Sequence, residues 1–397
     1  MMRIAINGCG IAGPALAFWL RKAGHDVVLF EQAPALRTGG YVIDFWGLGY
    51  DLVEKMGLLP QLKERAYFTK EMRIVDDNGR RVTGMNTEAL AAAAGDRMMT
   101  IARGDLAAVL FDALGDGDHR FGVSVTQVDD RGDDVVIGLS DGSEERVDLL
   151  VGADGLHSKV RELVFGAESK WERPMGCHVA AVEVDGYPQR DDDVYVLHGG
   201  VRRQVARATL RDGKSILLFI LRSDLLPDGE PVGLDAQRAA LQHAFGDMQW
   251  EVPDMLRHVQ EAQTLYFDRV SQIHLDRWTT GRVALLGDAA ACASLLAGEG
   301  SGLAITEAFV LAGELTAHGD DVQAALATYE RRLRPFLKDK QKGATGFVGF
   351  FAPATRLHWW LRDVGVTLAG HPAVSKLFLG RFMRDEFDLP TYPALEA

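Results

Sequence analysis

A chain of 397 residues can bury two or three separate cores, and 47% hydrophobic with 25% charged residues is ordinary for a globular protein. A formal net charge of −13 argues against nucleic acid or an anionic membrane as the main partner, because both need a basic face. Cys9, Cys177 and Cys292 are odd in number and far apart, so they read as reduced, buried thiols and offer no disulfide framework or paired-cysteine metal site.

"MMRIAING" enters a strand without the basic segment and long apolar core of a signal peptide, which points to a cytoplasmic protein. Residues 3–7 form a short apolar strand ending in Gly8. Helical spacing runs from Ala12 to Ala23 and stops at Gly24, and residues 26–30 form a second buried strand. Between the first strand and the helix stands Gly8-Cys9-Gly10-Ile11-Ala12-Gly13. The first glycine permits a tight turn, the second lets backbone approach a diphosphate, and the third lets helix and strand pack closely. The diphosphate would meet the free N–H groups at the helix start. Glu31 ends the second strand, where an acid accepts hydrogen bonds from a ribose diol, so the ribose should carry no 2′-phosphate. The alternative is a glycine turn serving packing alone, and the pattern does not separate NAD from FAD.

Further along, residues 49–65 have helical spacing, "EMRIVDDNGRRV" reads as a hairpin, and "RGDLAAVLFDAL" reads as a helix. Three strands follow over 123–155, joined by Arg131-Gly132 and Asp141-Gly142 turns, the last, "DLLVGADG", apolar and ending in Gly-Ala-Asp-Gly. In "GADGLHSKVR", Asp154 and Gly155 can turn behind a phosphate with Ser158 and Arg161 pinning them, or Asp154 can simply cap a helix. Alternating runs over 175–222 suggest an antiparallel sheet with one wet face, and 233–260 reads as helical. Tyr195, His198, Arg203 and Phe219 lie in those runs and are candidate substrate liners, each with a packed or solvated sheet residue as its alternative.

"RVALLGDAAACASLLAGEGSG" then returns to the buried-strand style. Gly287-Asp288 ends the strand, and Ala297, Gly298, Gly300, Ser301 and Gly302 open a helix with almost no side chain. Asp288 suits a ribityl chain as acceptor, and the small residues let backbone approach a flat ring, with the helix's positive end favouring negative charge on reduced flavin. A plain helix cap is the alternative. No H-E-x-x-H or clustered Cys/His appears, and Ser301 lacks nucleophile-elbow spacing. The apolar stretch at 343–365 is interrupted by Pro353, Arg356, Arg362 and Asp363, too short and charged to span a bilayer.

With all three motifs in order, the chain resembles the class A FAD-dependent monooxygenases, the group of para-hydroxybenzoate hydroxylase, and within it the tetracycline-inactivating hydroxylases. "GGYVIDFWGLG" is similar to their loop beside the flavin, which adds Gly40, and Arg37 lies where members often carry an arginine. "IARGDLAAVL" matches their arginine-plus-leucine helix, making Arg103 an expected FAD contact. The resemblance implies an α/β fold: a Rossmann-like FAD-binding domain at 1–172 and 270–340, an inserted antiparallel-sheet substrate domain at 173–269, and C-terminal helices at 341–397. It implies hydroxylation of an electron-rich aromatic, phenolic or polyketide-like molecule through a C4a-hydroperoxyflavin, with NADPH or NADH as transient co-substrate and molecular oxygen as oxidant, in a monomer or homodimer. No protein nucleophile is required and no general base is assigned. A reductase of the same fold, or an FAD-containing protein that sequesters a ligand without turnover, would carry the same motifs. The sequence departs from the family at Ala291, Ser294 and Leu295, which stand where members carry His and prolines, and at Glu299, which replaces a frequent Gln or Lys and would oppose negative charge on reduced flavin if ionised.

Overall fold

A computed structural model describes residues 1–36, 41–67, 69–87, 91, 95, 97–188, 190–191, 193–211, 213–369 and 385–396. Ile4 to Ile6, Val27 to Phe30 and Leu149 to Val151 are buried on both faces, as parallel strands covered by helices must be. They form the middle of a six-stranded sheet ordered Thr279–Thr280, Val283–Leu285, Leu149–Gly152, Arg3–Asn7, Asp26–Glu31, Asp118–Phe121. All its pairings are parallel except the first. The Ala12–Lys22 and Gly300–His318 helices pack together over it, with Trp19 and Phe309 in edge contact at 5.1 Å. Every sequence-distant piece that carries a motif therefore ends at one edge of one sheet.

A second, seven-stranded sheet is ordered Tyr266–Ile273, Glu172–Asp185, Lys214–Arg222, Arg203–Thr209, Val194–Gly200, Glu71–Val75, Arg81–Asn86. Its pairings are antiparallel apart from Val194–Gly200 with Glu71–Val75, so the early hairpin joins this sheet rather than the first. The expected wet face is absent. The Leu234–Phe245 and Val252–Glu261 helices cover the outer face, where Val182, Val205, Leu217 and Phe219 pack on Leu241, Phe245 and Leu256. The apolar spacing of those two helices, with charge on the far side, supplies the cover.

Two local readings also change. The helix expected over 49–65 is two, Gly47–Lys55 and Leu59–Arg65, because Gly57 takes φ +75° and Pro60 restarts the chain. The third expected strand divides at Asp148: Glu144–Val147 belongs to a separate three-stranded sheet with Val135–Leu139 and Val125–Asp130, Leu149–Gly152 enters the six-stranded one, and at the crossing the Asp148 carboxylate accepts the Arg3 N–H at 2.7 Å. Toward the C-terminus, the Arg356–Ala369 helix lies along the inner face of the seven-stranded sheet: Val366 packs with Ile74, Leu197 and Ala206, and Arg362 donates to Gln204 Oε1 at 2.8 Å. No described helix is long and apolar enough to cross a membrane.

Candidate cofactor and substrate site

The glycine turn is built by backbone collision. Gly8 sits at φ +113°, and a Cβ there would strike the Ala153 carbonyl. A Cβ on Gly13 would strike the Gly8 carbonyl. Gly10 differs: its Cβ would meet little but the Arg103 guanidinium, 3.5 Å away. Two glycines thus fold the turn, and the third leaves an open cradle. Ile11 provides no side-chain cap and the Ala12–Lys22 helix has no acid in its first turn, so its N–H groups face the cradle unopposed.

Glu31 closes one side. Its Oε2 accepts the Cys9 N–H and its Oε1 the Ala33 N–H, both at 2.9 Å, which fixes the carboxylate while leaving lone pairs for further donors. Asp154 is spent on structure. It accepts from Asn7 Nδ2 at 2.9 Å, Val160 N at 3.1 Å and the Ser158 hydroxyl. Ser158 is the N-cap of the Lys159–Phe165 helix, accepting the Arg161 N–H. Arg161 is fully buried and donates to Ala289 O at 3.2 Å and Glu168 Oε2 at 2.7 Å, tying this motif to the turn after Asp288.

Asp288 is solvent-exposed although protein surrounds it, which marks a side chain lining a deep cleft. Loss of bulk solvent raises its carboxyl above the usual range, while Cys292, Arg103 and Arg161 pull the other way. Its Oδ1 lies 3.7 Å from where a Gly300 Cβ would stand. Gly287, at φ +63°, donates to the buried Glu307 at 2.8 Å and packs against Ala12 and Ala304. Gly10, Arg103, Asp288 and Gly300 thereby meet in one cleft. Ala297 is buried in a single 3₁₀ turn, and Gly298 adopts the left-handed conformation with open space where a Cβ would be. Ser301 is half-buried in the first turn of the helix. Gly302 serves helix packing: a Cβ on Gly49 would lie 2.5 Å from the Gly302 Cα. Arg37 and Gly40 lie outside the described residues.

Three of the four altered positions, Ser294, Leu295 and Glu299, have a structural account. Ser294 Oγ accepts the Leu296 N–H at 3.2 Å and so caps the turn that a proline would otherwise stiffen, while Leu295 and Leu296 pack on Phe347 and Phe351. Glu299 is not a lone charge. Lys340 Nζ reaches it at 3.1 Å and reaches Asp385 at 2.7 Å, and Asp385 also accepts the Leu48 N–H at 2.8 Å.

Above the cleft, Val42–Trp46 pairs with Met98–Ala102 and puts Asp44 opposite Thr100, which donates to Asp44 Oδ1 at 2.6 Å. Tyr41, Val42 and Tyr67 pack on Ala181, Ile216 and Leu218 of the seven-stranded sheet's inner face. Tyr41 and Tyr266 rings stand 5.9 Å apart, and burial pushes the Tyr41 hydroxyl up to about 12. Of the four sheet residues singled out, Tyr195 lies on this inner face with Leu218 and Phe350. The other three project outward. His198 meets the Val75 carbonyl and the Trp250 ring, Arg203 pairs with Asp247 at 2.6 Å, and Phe219 packs on Phe245. Asp44, Thr100, Lys340 and Asp385 were not singled out in the sequence. Asp44 gave a signal, as a lone acid inside an apolar strand; Lys340 and Asp385 gave none.

The chain matches the FAD binding domain family over residues 1–342. It is 32% identical over 347 residues to a flavin-dependent monooxygenase of an unknown prokaryotic organism, covering 86% of this chain and 87% of that one. It is 30% identical over 441 residues to the FAD-dependent monooxygenase asL6 of Sarocladium schorii, covering 100% of this chain and 99% of that one. The crystal structure of tetracycline destructase Tet(51) superposes with a TM-score of 0.83 at 28% identity, covering 98% of this chain and 99% of the other.

Proposed function

The chain belongs to the FAD binding domain family and is a flavin-dependent monooxygenase with FAD as its cofactor, and from that premise we propose that it hydroxylates an electron-rich aromatic, phenolic or polyketide-like small molecule at the expense of NADPH or NADH. One observation carries this reading. A polar, side-chain-poor cleft running from Gly10 past Arg103 and Asp288 to Gly300 lies beside Tyr41, Asp44, Tyr195 and Tyr266, whose side chains are accessible although protein surrounds them, as side chains lining a cavity are. A long dinucleotide needs the first and a flat apolar ring needs the second.

In this proposal Glu31 accepts the ribose hydroxyls, Gly8, Gly10, Ile11, Ala12 and Gly13 present backbone to the diphosphate, and Arg103 lies over that turn. Asp288 accepts the ribityl hydroxyls. Ala297, Gly298, Gly300 and Ser301 make room for the ring, with the Gly300–His318 helix start favouring negative charge there. Asp154, Gly287 and Gly302 act through the backbone they hold. Bound FAD supplies hydride acceptance from the nicotinamide and activation of molecular oxygen. The protein's own work is to orient the substrate ring, exclude water and set local charge. Tyr195 belongs to the substrate side, and His198, Arg203 and Phe219 hold the sheet to its outer helices. The sheet's own strands start at Glu172 and end at Ile273, so we propose domain boundaries at 171/172 and 273/274 in place of 172/173 and 269/270, keep 340/341, and add the 71–86 hairpin to the substrate sheet. Three free, buried cysteines support a cytoplasmic location, and a monomer or homodimer is expected.

The test is a screen of phenols and polyketides with the FAD-loaded protein. A substrate should accelerate NAD(P)H oxidation, consume oxygen and emerge one oxygen atom heavier. Stimulated oxidation with no oxygen in any product would overturn the reading in favour of a reductase.

A further inference from the structure

The roof of the substrate space is a two-stranded ribbon with a clear division of faces. Ile43, Phe45, Met99 and Ile101 are buried in the core beneath it. Period-two alternation turns Val42, Asp44, Trp46, Met98, Thr100 and Ala102 to the other face. Of these six, Asp44 alone carries a charge.

Its surroundings are unusual for an acid. Phe45, Trp46, Gly298, Gly302 and Leu303 line the same pocket, which puts Asp44 beside the loop we assign to the flavin ring. The other carboxylates there, Glu299 and Asp385, share Lys340 as their cation. Asp44 has no cation. Thr100 holds Oδ1, and Oδ2 has no hydrogen-bond or ion-pair partner among the described residues. The side chain opens into the cavity rather than to bulk water, and its charge reaches Tyr195 on the facing sheet. An acid so placed costs stability unless something else meets it.

Resting on the monooxygenase reading above, we propose that Asp44 is the catalytic proton acceptor for an acidic hydroxyl of the substrate, a phenol or an enol. The substrate O–H bond breaks and its electron pair stays on the substrate oxygen. The proton goes to Asp44 Oδ2 and returns to solvent when product leaves. The oxyanion enriches the adjoining ring carbons in electron density, which an attack by electrophilic oxygen requires. Thr100, by fixing Oδ1, aims the other oxygen at the cavity.

Burial raises the Asp44 carboxyl, against the Thr100 hydrogen bond, and so narrows its mismatch with an acidic phenol. The titratable or charged groups facing it are Tyr195 from the sheet, Glu299 at the ring loop with its partner Lys340 from the Val322–Ala344 helix, and Asp385 from the C-terminal segment.

The experiment uses the FAD-loaded full chain and 4-nitrophenol, whose phenolate absorbs where the phenol does not, at a pH where the free probe is largely neutral. Wild type should bind it as phenolate. D44N should keep its FAD and bind the probe neutral, and its kcat on an accepted phenol should fall roughly 100-fold or more with the acidic limb of the pH profile lost. Should D44N fold poorly, Thr100→Val serves: it removes a bond that favours the ionised carboxylate, so the acidic limb should move to higher pH. Wild type that takes up the probe neutral or not at all, D44N that ionises it as well as wild type, or an unmoved limb in T100V overturns the proposal. Wild type that hydroxylates phenols while D44N is unimpaired removes only Asp44. Wild type that ionises the probe but never inserts oxygen removes the monooxygenase reading and leaves the proton acceptor in place.

Discussion

Lys340 Nζ stands 2.7 Å from Asp385 Oδ1, and this contact fastens the C-terminal segment to the loop beside the cleft. Gly47 makes the seat, since at φ +68° it leaves the space that the Asp385 carboxylate fills. Glu299 completes the cluster at 3.1 Å, and the side chains are only 14%, 10% and 13% exposed for Lys340, Glu299 and Asp385. Burial alone would lower the ammonium's pKa, yet the two carboxylates outweigh it and hold it above its ordinary value. Lys340→Met should therefore leave two buried acids unpaired and cost about 3–5 kcal/mol. Adding Glu299→Gln should recover part of that. Thermal unfolding of the two variants measures both, and a single variant as stable as wild type would show the cluster to be solvated.

His157 bridges the two sheets by a different route, with Nδ1 at 3.0 Å from Glu168 and Nε2 at 3.2 Å from Asp268. The Asp268 hydrogen bond, against burial and together with Glu168, raises its pKa to about 9. A histidine whose folded pKa exceeds its unfolded value stabilises fully below about 6.5 and loses that contribution as pH climbs through the folded value. The side chain is 54% exposed, so solvent screening keeps the effect small. His157→Gln should melt a few degrees below wild type at pH 6, about one to three, and the gap should vanish in strong base. A gap independent of pH would mean that shape, not charge, makes the link.

Glu307 shifts in the same direction as His157, but through burial rather than through an ion-pair partner. It is buried at 2% exposure, accepts the Gly287 N–H at 2.8 Å and the Tyr329 hydroxyl at 3.3 Å, and desolvation raises its pKa to about 8. The folded state then holds a proton that the unfolded chain releases near the ordinary carboxylate value. Stability should fall as pH rises between roughly 4.5 and 8. Glu307→Gln keeps an acceptor for both donors and cannot ionise. It should match wild type at pH 5 and unfold several degrees higher at pH 8.5. Parallel melting curves at the two pH values would refute this.

Strand parity separates two side chains that composition alone made equivalent. Tyr195 faces inward and Phe219 outward, where it is fully buried against Phe245. Phe219→Ala should cost about 3–5 kcal/mol while leaving KM unchanged. Tyr195→Ala should do the reverse, raising KM severalfold with a smaller loss of stability. Steady-state kinetics beside denaturant unfolding decides between them, and equal KM values in both variants would empty the inner face of its substrate role.

The contrast shows what the sequence could carry. Residues 195 and 198 lie an odd number of steps apart on one strand and cannot share a face, so parity would have split that pair. It could not say which face looked inward, because both faces are apolar once the two outer helices are in place. The glycine turn was legible for a local reason: Gly8 and Gly13 collide with backbone within the same few residues or on the adjacent strand. Asp288 was legible as a lone acid ending a buried strand. Lys340 and Asp385 were not, because nothing in an amphipathic helix or a polar tail announces a partner far away in the chain.

Within that turn Gly13 and Gly10 should fail differently. Gly13→Ala forces a Cβ into the Gly8 carbonyl, and backbone cannot yield as a flexible side chain does. The variant should be destabilised by several kcal/mol, about 2–4, even without cofactor. A Cβ at Gly10 meets only the Arg103 guanidinium at 3.5 Å, so the fold has room for it. Gly10→Val should leave the apoprotein's melting temperature within about two degrees of wild type. Its methyl groups would occupy the space assigned to the diphosphate, and FAD affinity should fall at least tenfold. Titration of the apoprotein with FAD, read by quenching of flavin fluorescence, measures that affinity directly. If Gly10→Val binds FAD as tightly as wild type, the cradle is not where the diphosphate lies, and the assignments of Glu31 and Arg103 fall with it.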